Sequence, residues 1–175
     1  MDRMNRIAII GSTGSGKSTL ARELSARLSL PHTELDDLHW LPGWTERERI
    51  DFRRCVNEAT TPARWVIDGG YSEVSDLVWG RADAIIWLNY SFPRTAWRLL
   101  RRTYRRNALR EACCNGNYES WRLSLSKDSI LVWLLKSYWR NRRTFPAALQ
   151  NYGSGKTVHV FRSPMETDAW LHGLE

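Results

Sequence analysis

Short apolar runs and helical stripes alternate along most of the chain. Arg6-Ile7-Ala8-Ile9-Ile10 is a β-branched run that predicts a buried strand, stopping at Gly11. From Ser18 onward Leu20, Leu24 and Leu28 recur every four positions with polar Arg22, Ser25 and Arg27 between them, which predicts a helix ended by Pro31. Residues 32–36 predict a second short strand with Asp36 and Asp37 at its C-terminal end, and Trp40-Leu41-Pro42-Gly43-Trp44 predicts a turn. Thr45 and Glu48 have the spacing of a capping box, opening a polar helix to about Ala59. Trp65-Val66-Ile67 reads as a third buried strand closing at Asp68, followed by a short helix over 73–79 and a fourth strand over 83–88. Pro93 then starts a long helix to about Arg110, a polar Asn115-Gly116-Asn117 loop follows, and a further helical region spans 128–143. A fifth strand, Thr157–Phe161, and a helix over 164–174 close the chain. Apart from a helix-rich insertion at about 105–145, strand and helix alternate, the signature of an α/β fold with a parallel sheet covered by helices on both faces.

Composition agrees with one compact domain over 1–175. An apolar fraction of 42% against 26% charged suffices for a core. No apolar run approaches the roughly 20 residues that span a bilayer, and the N-terminus has no cleavable apolar leader, so no membrane association and a cytoplasmic location are expected. Cys55 and the adjacent Cys113 and Cys114 form neither a disulfide framework nor a zinc pattern, and read as ordinary thiols. The net charge of +7 is uneven: residues 92–143 carry thirteen Lys or Arg, eleven of them arginine, against Glu111, Glu119 and Asp128, which leaves −3 for the rest. Such a segment implies a phosphate-bearing partner.

Gly11-Ser12-Thr13-Gly14-Ser15-Gly16-Lys17-Ser18 matches GxxxxGK[ST] directly between a strand and a helix. A backbone that curls on glycines turns successive N–H groups toward phosphate oxygens, and the helix from Lys17, Ser18 and Thr19 adds the positive end of its dipole. Lys17 would reach the β and γ phosphates of ATP, and Ser18 would bind Mg²⁺. Gly153-Ser154-Gly155-Lys156-Thr157 looks like a second copy, but Gln150 stands where the first glycine belongs and a strand follows, so it reads as a loop into the last strand. Asp68, closing an apolar strand, suits a second Mg²⁺-organising group. Asp36 or Asp37, at the sheet edge where α/β proteins bind ligands, would orient or deprotonate an acceptor hydroxyl. Arg94, Arg98, Arg101 and Arg105 fall at helical steps on one face, while Trp97, Leu100 and Tyr104 share another. Arg98, Arg101 and Arg105 are the arginines expected to stabilise a transferring phosphoryl group, with Arg140, Arg142 and Arg143 as a second cluster in an arginine-rich lid. Trp65, Trp87 and Trp133 sit in apolar runs and are expected in the core; Trp40 and Trp44 fit either an acceptor-pocket wall or a loop clamp. The four histidines show no ligand spacing and receive no role.

The ordered set of the glycine loop, Leu35-Asp36-Asp37-Leu38-His39-Trp40-Leu41-Pro42-Gly43-Trp44, Trp65-Val66-Ile67-Asp68-Gly69-Gly70-Tyr71, Ala82-Asp83-Ala84-Ile85-Ile86-Trp87-Leu88 with the arginine helix, and residues 133–146 resembles the adenylate-kinase-related P-loop proteins labelled DNA topology modulation protein. The resemblance implies a nucleoside-monophosphate-kinase-like sheet in strand order 2-3-1-4-5 with a lid between the fourth and fifth strands, ATP as donor, and Arg162 and Ser163 near the adenine. Departures bear on the acceptor. Adenylate kinases follow the third strand with Asp-Gly-Phe-Pro-Arg, whose arginine grips a monophosphate, whereas Asp68-Gly69-Gly70-Tyr71 has none, and Leu88-Asn89 replaces Leu-Asp. The cysteine-rich zinc lid is absent. The expectation is a Mg-ATP-dependent phosphotransferase with a small-molecule or nucleotide acceptor. The alternatives are a nucleotide-regulated protein that touches nucleic acid, disfavoured because no base-reading motif is present, and an ATPase, disfavoured because Gly69 rather than glutamate follows Asp68.

Overall fold

The computed structural model describes residues 4–124, 126 and 129–174. From the N-terminus run β1 (Arg6–Gly11), α1 (Lys17–Leu28), β2 (His32–Glu34), α2 (Leu35–His39), β3 (Trp40–Leu41), β4 (Thr45–Glu46), α3 (Arg49–Thr60) and β5 (Trp65–Asp68). After a 3₁₀ turn, Ser72–Val74, come α4 (Ser75–Arg81), β6 (Ala84–Leu88), α5 (Phe92–Leu109), β7 (Ala112–Cys113), β8 (Asn117–Tyr118), α6 (Trp121–Ser124), α7 (Ile130–Tyr152), β9 (Thr157–Phe161) and α8 (Pro164–His172).

The main sheet has order β2-β5-β1-β6-β9, and every pairing in it is parallel. Among these five strands in chain order this is 2-3-1-4-5, the expected arrangement. Strand alternation sends neighbouring side chains of β1 to opposite faces. Ala8 and Ile10 join Trp65, Ile67, Ile85 and Trp87 in one core, while Ile7 and Ile9 join Val66, Ile86 and Leu88 in the other. Leu20, Leu24 and Leu171 cover the second face, and Phe52, Val56 and Val78 the first. Both faces are therefore closed, and ligand access falls to the strand ends.

Several sequence expectations change in detail. Thr45 caps no helix, because it pairs with Leu41 in a β3–β4 hairpin and α3 begins only at Arg49. The Asn115 loop is the tip of a second hairpin, β7–β8. The helix expected over 128–143 continues through Pro146 to Tyr152, its Phe145 packing edge-on against Trp79 and Trp87; Asp128 lies outside the described residues. Trp133 is not core: it is 49% exposed, with the Arg140 guanidinium 5.1 Å from its ring centre. The second glycine-lysine motif is a loop whose Lys156 Nζ donates to the carbonyls of Trp79 and Gly80 at the end of α4. That contact gives the lysine a structural task at the opposite edge of the sheet. Among the described residues no helix is long and apolar enough to cross a membrane.

Candidate functional site

The glycine loop bridges β1 and α1 and is pressed against the α5 backbone at Gly14. There φ is +79°, and a Cβ would lie 2.8 Å from the Thr95 carbonyl and 2.9 Å from Leu99 Cβ of α5. A side chain would fill the space that lets backbone and helix meet. Gly16, in the left-handed region at the head of α1, has no side chain to cap the helix, and the first turn carries no acid. The free N–H groups and the helix dipole therefore face the loop unneutralised. Ser15 Oγ is buried without a hydrogen-bond partner, and Lys17 Nζ donates to the Ser12 carbonyl 3.2 Å away. Burial lowers the Lys17 pKa, opposed by the charges of Asp36 and Asp68. An orphaned hydroxyl, a sterically closed glycine cradle and a lysine folded back on the loop fit a polyphosphate tail.

Beside the loop, the Ser18 hydroxyl donates to Asp68 Oδ2 at 2.7 Å. His32 Nε2 lies 2.9 Å from Asp68 Oδ1, and His32, Glu34 and Asp68 place one ligand atom each within 4.8 Å of one another. Parallel pairing of β2 with β5 makes this cluster, because Glu34 is the register partner of Asp68. Burial raises the Glu34 pKa, and Asp68 and Asp37 push it the same way. Crowded carboxylates beside a hydroxyl form an oxygen-rich donor set that suits Mg²⁺.

Across from the lysine, Asp36 and Asp37 stand in the first turn of α2. They divide their work. Asp36 Oδ1 accepts the Tyr71 hydroxyl at 2.7 Å, and Asp36 is the opposite charge that acts most strongly on Lys17. Asp37 Oδ1 instead accepts the backbone N–H of Asn115 at the tip of the β7–β8 hairpin. That hairpin is laid over the β3–β4 hairpin: Asn115 Nδ2 reaches the Trp40 carbonyl, Asn117 bonds the Leu41 carbonyl and the Trp44 N–H, and Trp44 Nε1 donates to the Tyr118 carbonyl. Trp44 thus clamps two loops together.

Of the arginine stripe, Arg98 turns to the loop, its Nη2 lying 2.6 Å from where a Cβ on Gly16 would stand. Arg101 and Arg105 are exposed, and Arg105 pairs with Glu111. The reason is the buried row of α5, which runs through Thr95, Leu99, Thr103 and Asn107. The row flanking it on the site side is Arg98, Arg102 and Arg106 rather than Arg98, Arg101 and Arg105. Thr19 is exposed one residue beyond Ser18, and Thr13 is half-buried. Sequence reasoning missed His32, Glu34, Tyr71, Arg102 and Arg106; for the two arginines the i, i+4 spacing from Arg98 was the available signal.

No protein-family model matches the sequence. The chain is 28% identical over 126 residues, 71% of each protein, to Bacillus subtilis (strain 168) YqaC, itself uncharacterized. Its structure is similar to that of a shikimate kinase from Acinetobacter baumannii in complex with shikimate, with a TM-score of 0.61, 17% identity and coverage of 99% of this chain and 92% of the other. A shikimate kinase from Bacteroides thetaiotaomicron aligns at a TM-score of 0.55 and 15% identity over 98% and 96% of the two chains. A gluconokinase from Sinorhizobium meliloti 1021 aligns at 0.53 and 18% over 97% and 93%. The fold is that of P-loop kinases.

Proposed function

We propose that the protein is a Mg-ATP-dependent phosphotransferase acting on a small hydroxyl-bearing acceptor. The observation that carries this reading is the alignment of three features along one strand edge: the glycine loop with Lys17, the Ser18–Asp68 pair, and Asp36 held by Tyr71 opposite the lysine. The glycine loop from Gly11 to Thr19 would cradle the triphosphate with its N–H groups, and Lys17 would bind the β and γ phosphates. Ser18 and Asp68, with Glu34 beside them, would hold Mg²⁺, which supplies charge neutralisation between those phosphates. Asp36 would accept the proton of the attacking hydroxyl, and Tyr71 would fix the carboxylate for that task. Arg98, lying over Gly16, would stabilise charge on the transferring group, the role that sequence spacing gave also to Arg101 and Arg105. The β7–β8 hairpin, tied down through Asp37 and Trp44, would close the acceptor side and keep water out.

The fold of the neighbouring kinases supports this reading. Phosphorus NMR of the purified protein with Mg-ATP and a pooled set of small metabolites tests it. A new phosphate-ester resonance accompanying ADP is expected. ADP accompanied only by inorganic phosphate would make the protein an ATPase instead.

A further inference from the structure

Three guanidinium groups, Arg98, Arg102 and Arg106, follow each other along the site-facing row of α5, each step advancing about 6 Å along the axis. Arg106 has its acid, with Nη1 2.9 Å from Glu119 Oε1. Arg98 lies at the phosphate loop. Arg102, between them, has neither a hydrogen bond nor an ion pair among the described residues, and its Nε is closed off from solvent without a partner. Around it stand Arg106, Glu119, Asp36 and Cys114, and its charge is felt at Lys17.

Burial lowers the Arg102 pKa, and Arg106 adds to the effect, yet a guanidinium does not shed its proton in a protein. A buried cation without a counter-ion is costly. The neighbouring acids do not settle the account. Asp36 keeps its charge while accepting from Tyr71 but shares it with Lys17, and Glu119, whose Oε2 has no partner among the described residues, stands beside two guanidinium groups, so two acids face the three cations Lys17, Arg102 and Arg106. The loop after β5, Asp68-Gly69-Gly70-Tyr71, offers an acceptor no cation of its own. The guanidinium of Arg102, without a bonded acid among the described residues, lies within electrostatic reach of the carboxylate proposed to receive the acceptor hydroxyl.

We infer that Arg102 binds an anionic group on the acceptor, a carboxylate or a phosphate, so that the substrate class is anionic hydroxy compounds rather than neutral sugars or alcohols. The inference rests on the phosphotransferase reading above. A planar fork suits both groups, because each offers two oxygens for paired N–H donation. Arg98 then serves the donor and Arg102 the acceptor, one helical turn apart.

Calorimetry on the full chain separates the two claims. Mg²⁺ with a non-hydrolysable ATP analogue is titrated first, and the analogue-saturated protein then receives inorganic phosphate or, separately, malonate. One anion site per chain is expected, with phosphate preference pointing to a phosphomonoester acceptor and malonate preference to a carboxylate. Arg102→Gln should weaken that site about 10- to 100-fold, the range for losing a charge-assisted hydrogen bond, while changing analogue affinity less than about threefold. Arg102→Lys should recover part of the loss and guards against a misfolded variant, and Arg54→Gln on α3 should leave the site unchanged. The inference falls if analogue-bound protein takes up neither anion, if Arg102→Gln binds them as the parent does, or if that change weakens the analogue instead. Failure of the analogue to bind in the first titration would overturn the phosphotransferase reading itself, and this inference with it.

Discussion

The hydroxyl of Tyr71 donates to Asp36 Oδ1 across 2.7 Å, joining the loop after β5 to the first turn of α2. Burial, the charge of Asp36 and this hydrogen bond push the Tyr71 phenol far above its ordinary range, so it remains a donor at every working pH. Tyr71→Phe keeps the ring that packs against Phe52 and His39 while deleting the donor. Turnover of the acceptor found by phosphorus NMR should fall about 10- to 100-fold, the range for a hydrogen bond to a charged group. Steady-state kinetics should place the loss in kcat, with ATP affinity retained. An unchanged kcat would show that Asp36 needs no such partner.

Lys17→Ala removes the one ammonium group in the loop. The fold should survive, because among the described residues the Lys17 side chain bonds only the Ser12 carbonyl. Phosphoryl transfer should slow by about 10²- to 10³-fold, the scale for one preorganised charge-stabilising donor. Circular dichroism alongside a coupled ADP assay separates folding from chemistry.

Gly14→Ala should be destabilising, since its φ of +79° and the 2.8 Å approach to the Thr95 carbonyl leave a methyl group no room. A loss of about 1–3 kcal/mol is expected, or roughly 2–12 °C in Tm. Gly80→Ala is the opposite case. Gly80 lies in α4 with nothing within 4 Å of an added Cβ, so the change should stabilise by about 0.5–1 kcal/mol. Thermal unfolding of the two variants should therefore move in opposite directions.

The vicinal thiols are not equivalent. Donation from the Cys114 thiol, helped by Arg106, pulls Cys113 down to about 7, while its bond to Cys113 and then burial push Cys114 far up. Iodoacetamide should alkylate Cys113 with a pH midpoint below that of an ordinary thiol, and Cys114→Ala should move that midpoint upward. The sign of the stability effect follows from a folded value below the unfolded thiol's roughly 8.5. Stabilisation from this group is fully present above the unfolded value and is lost as pH falls through the folded one. Chemical denaturation of the parent and Cys113→Ala should therefore diverge as pH rises from about 6 to 9.

The strand order and the glycine loop were readable because each depends on local pattern. Apolar runs such as Ile7 to Ile10 and Ala84 to Leu88, buried on both faces, mark parallel strands, and the loop motif sits between two elements contiguous in sequence. The inward arginines were not readable in the same way. The face of α5 that packs inward is Thr95, Leu99, Thr103 and Asn107, mostly polar, while Trp97, Leu100 and Tyr104 face solvent. Hydropathy thus pointed away from the buried row, and among the eight arginines between Arg94 and Arg122 the spacing that joined Arg98 to Arg101 and Arg105 led to an exposed stripe. His32 and Glu34 were invisible for another reason. Their proximity to Asp68 arises from pairing between β2 and β5, 30 residues apart in sequence, and no spacing along the chain encodes it. Thr45 shows the limit of a local signal, since its capping spacing lost to a hairpin stabilised by Trp40, Trp44 and the Asn117 side chain.

The most direct measurement is an isothermal titration of Mg-ATP, and in parallel Mg-GTP, into the purified protein and its Lys17→Ala variant. Saturable binding at one triphosphate per chain, weakened by the substitution, is the outcome that follows from the loop geometry. The absence of heat with either nucleotide, or binding that Lys17→Ala leaves untouched, would contradict the account at its foundation.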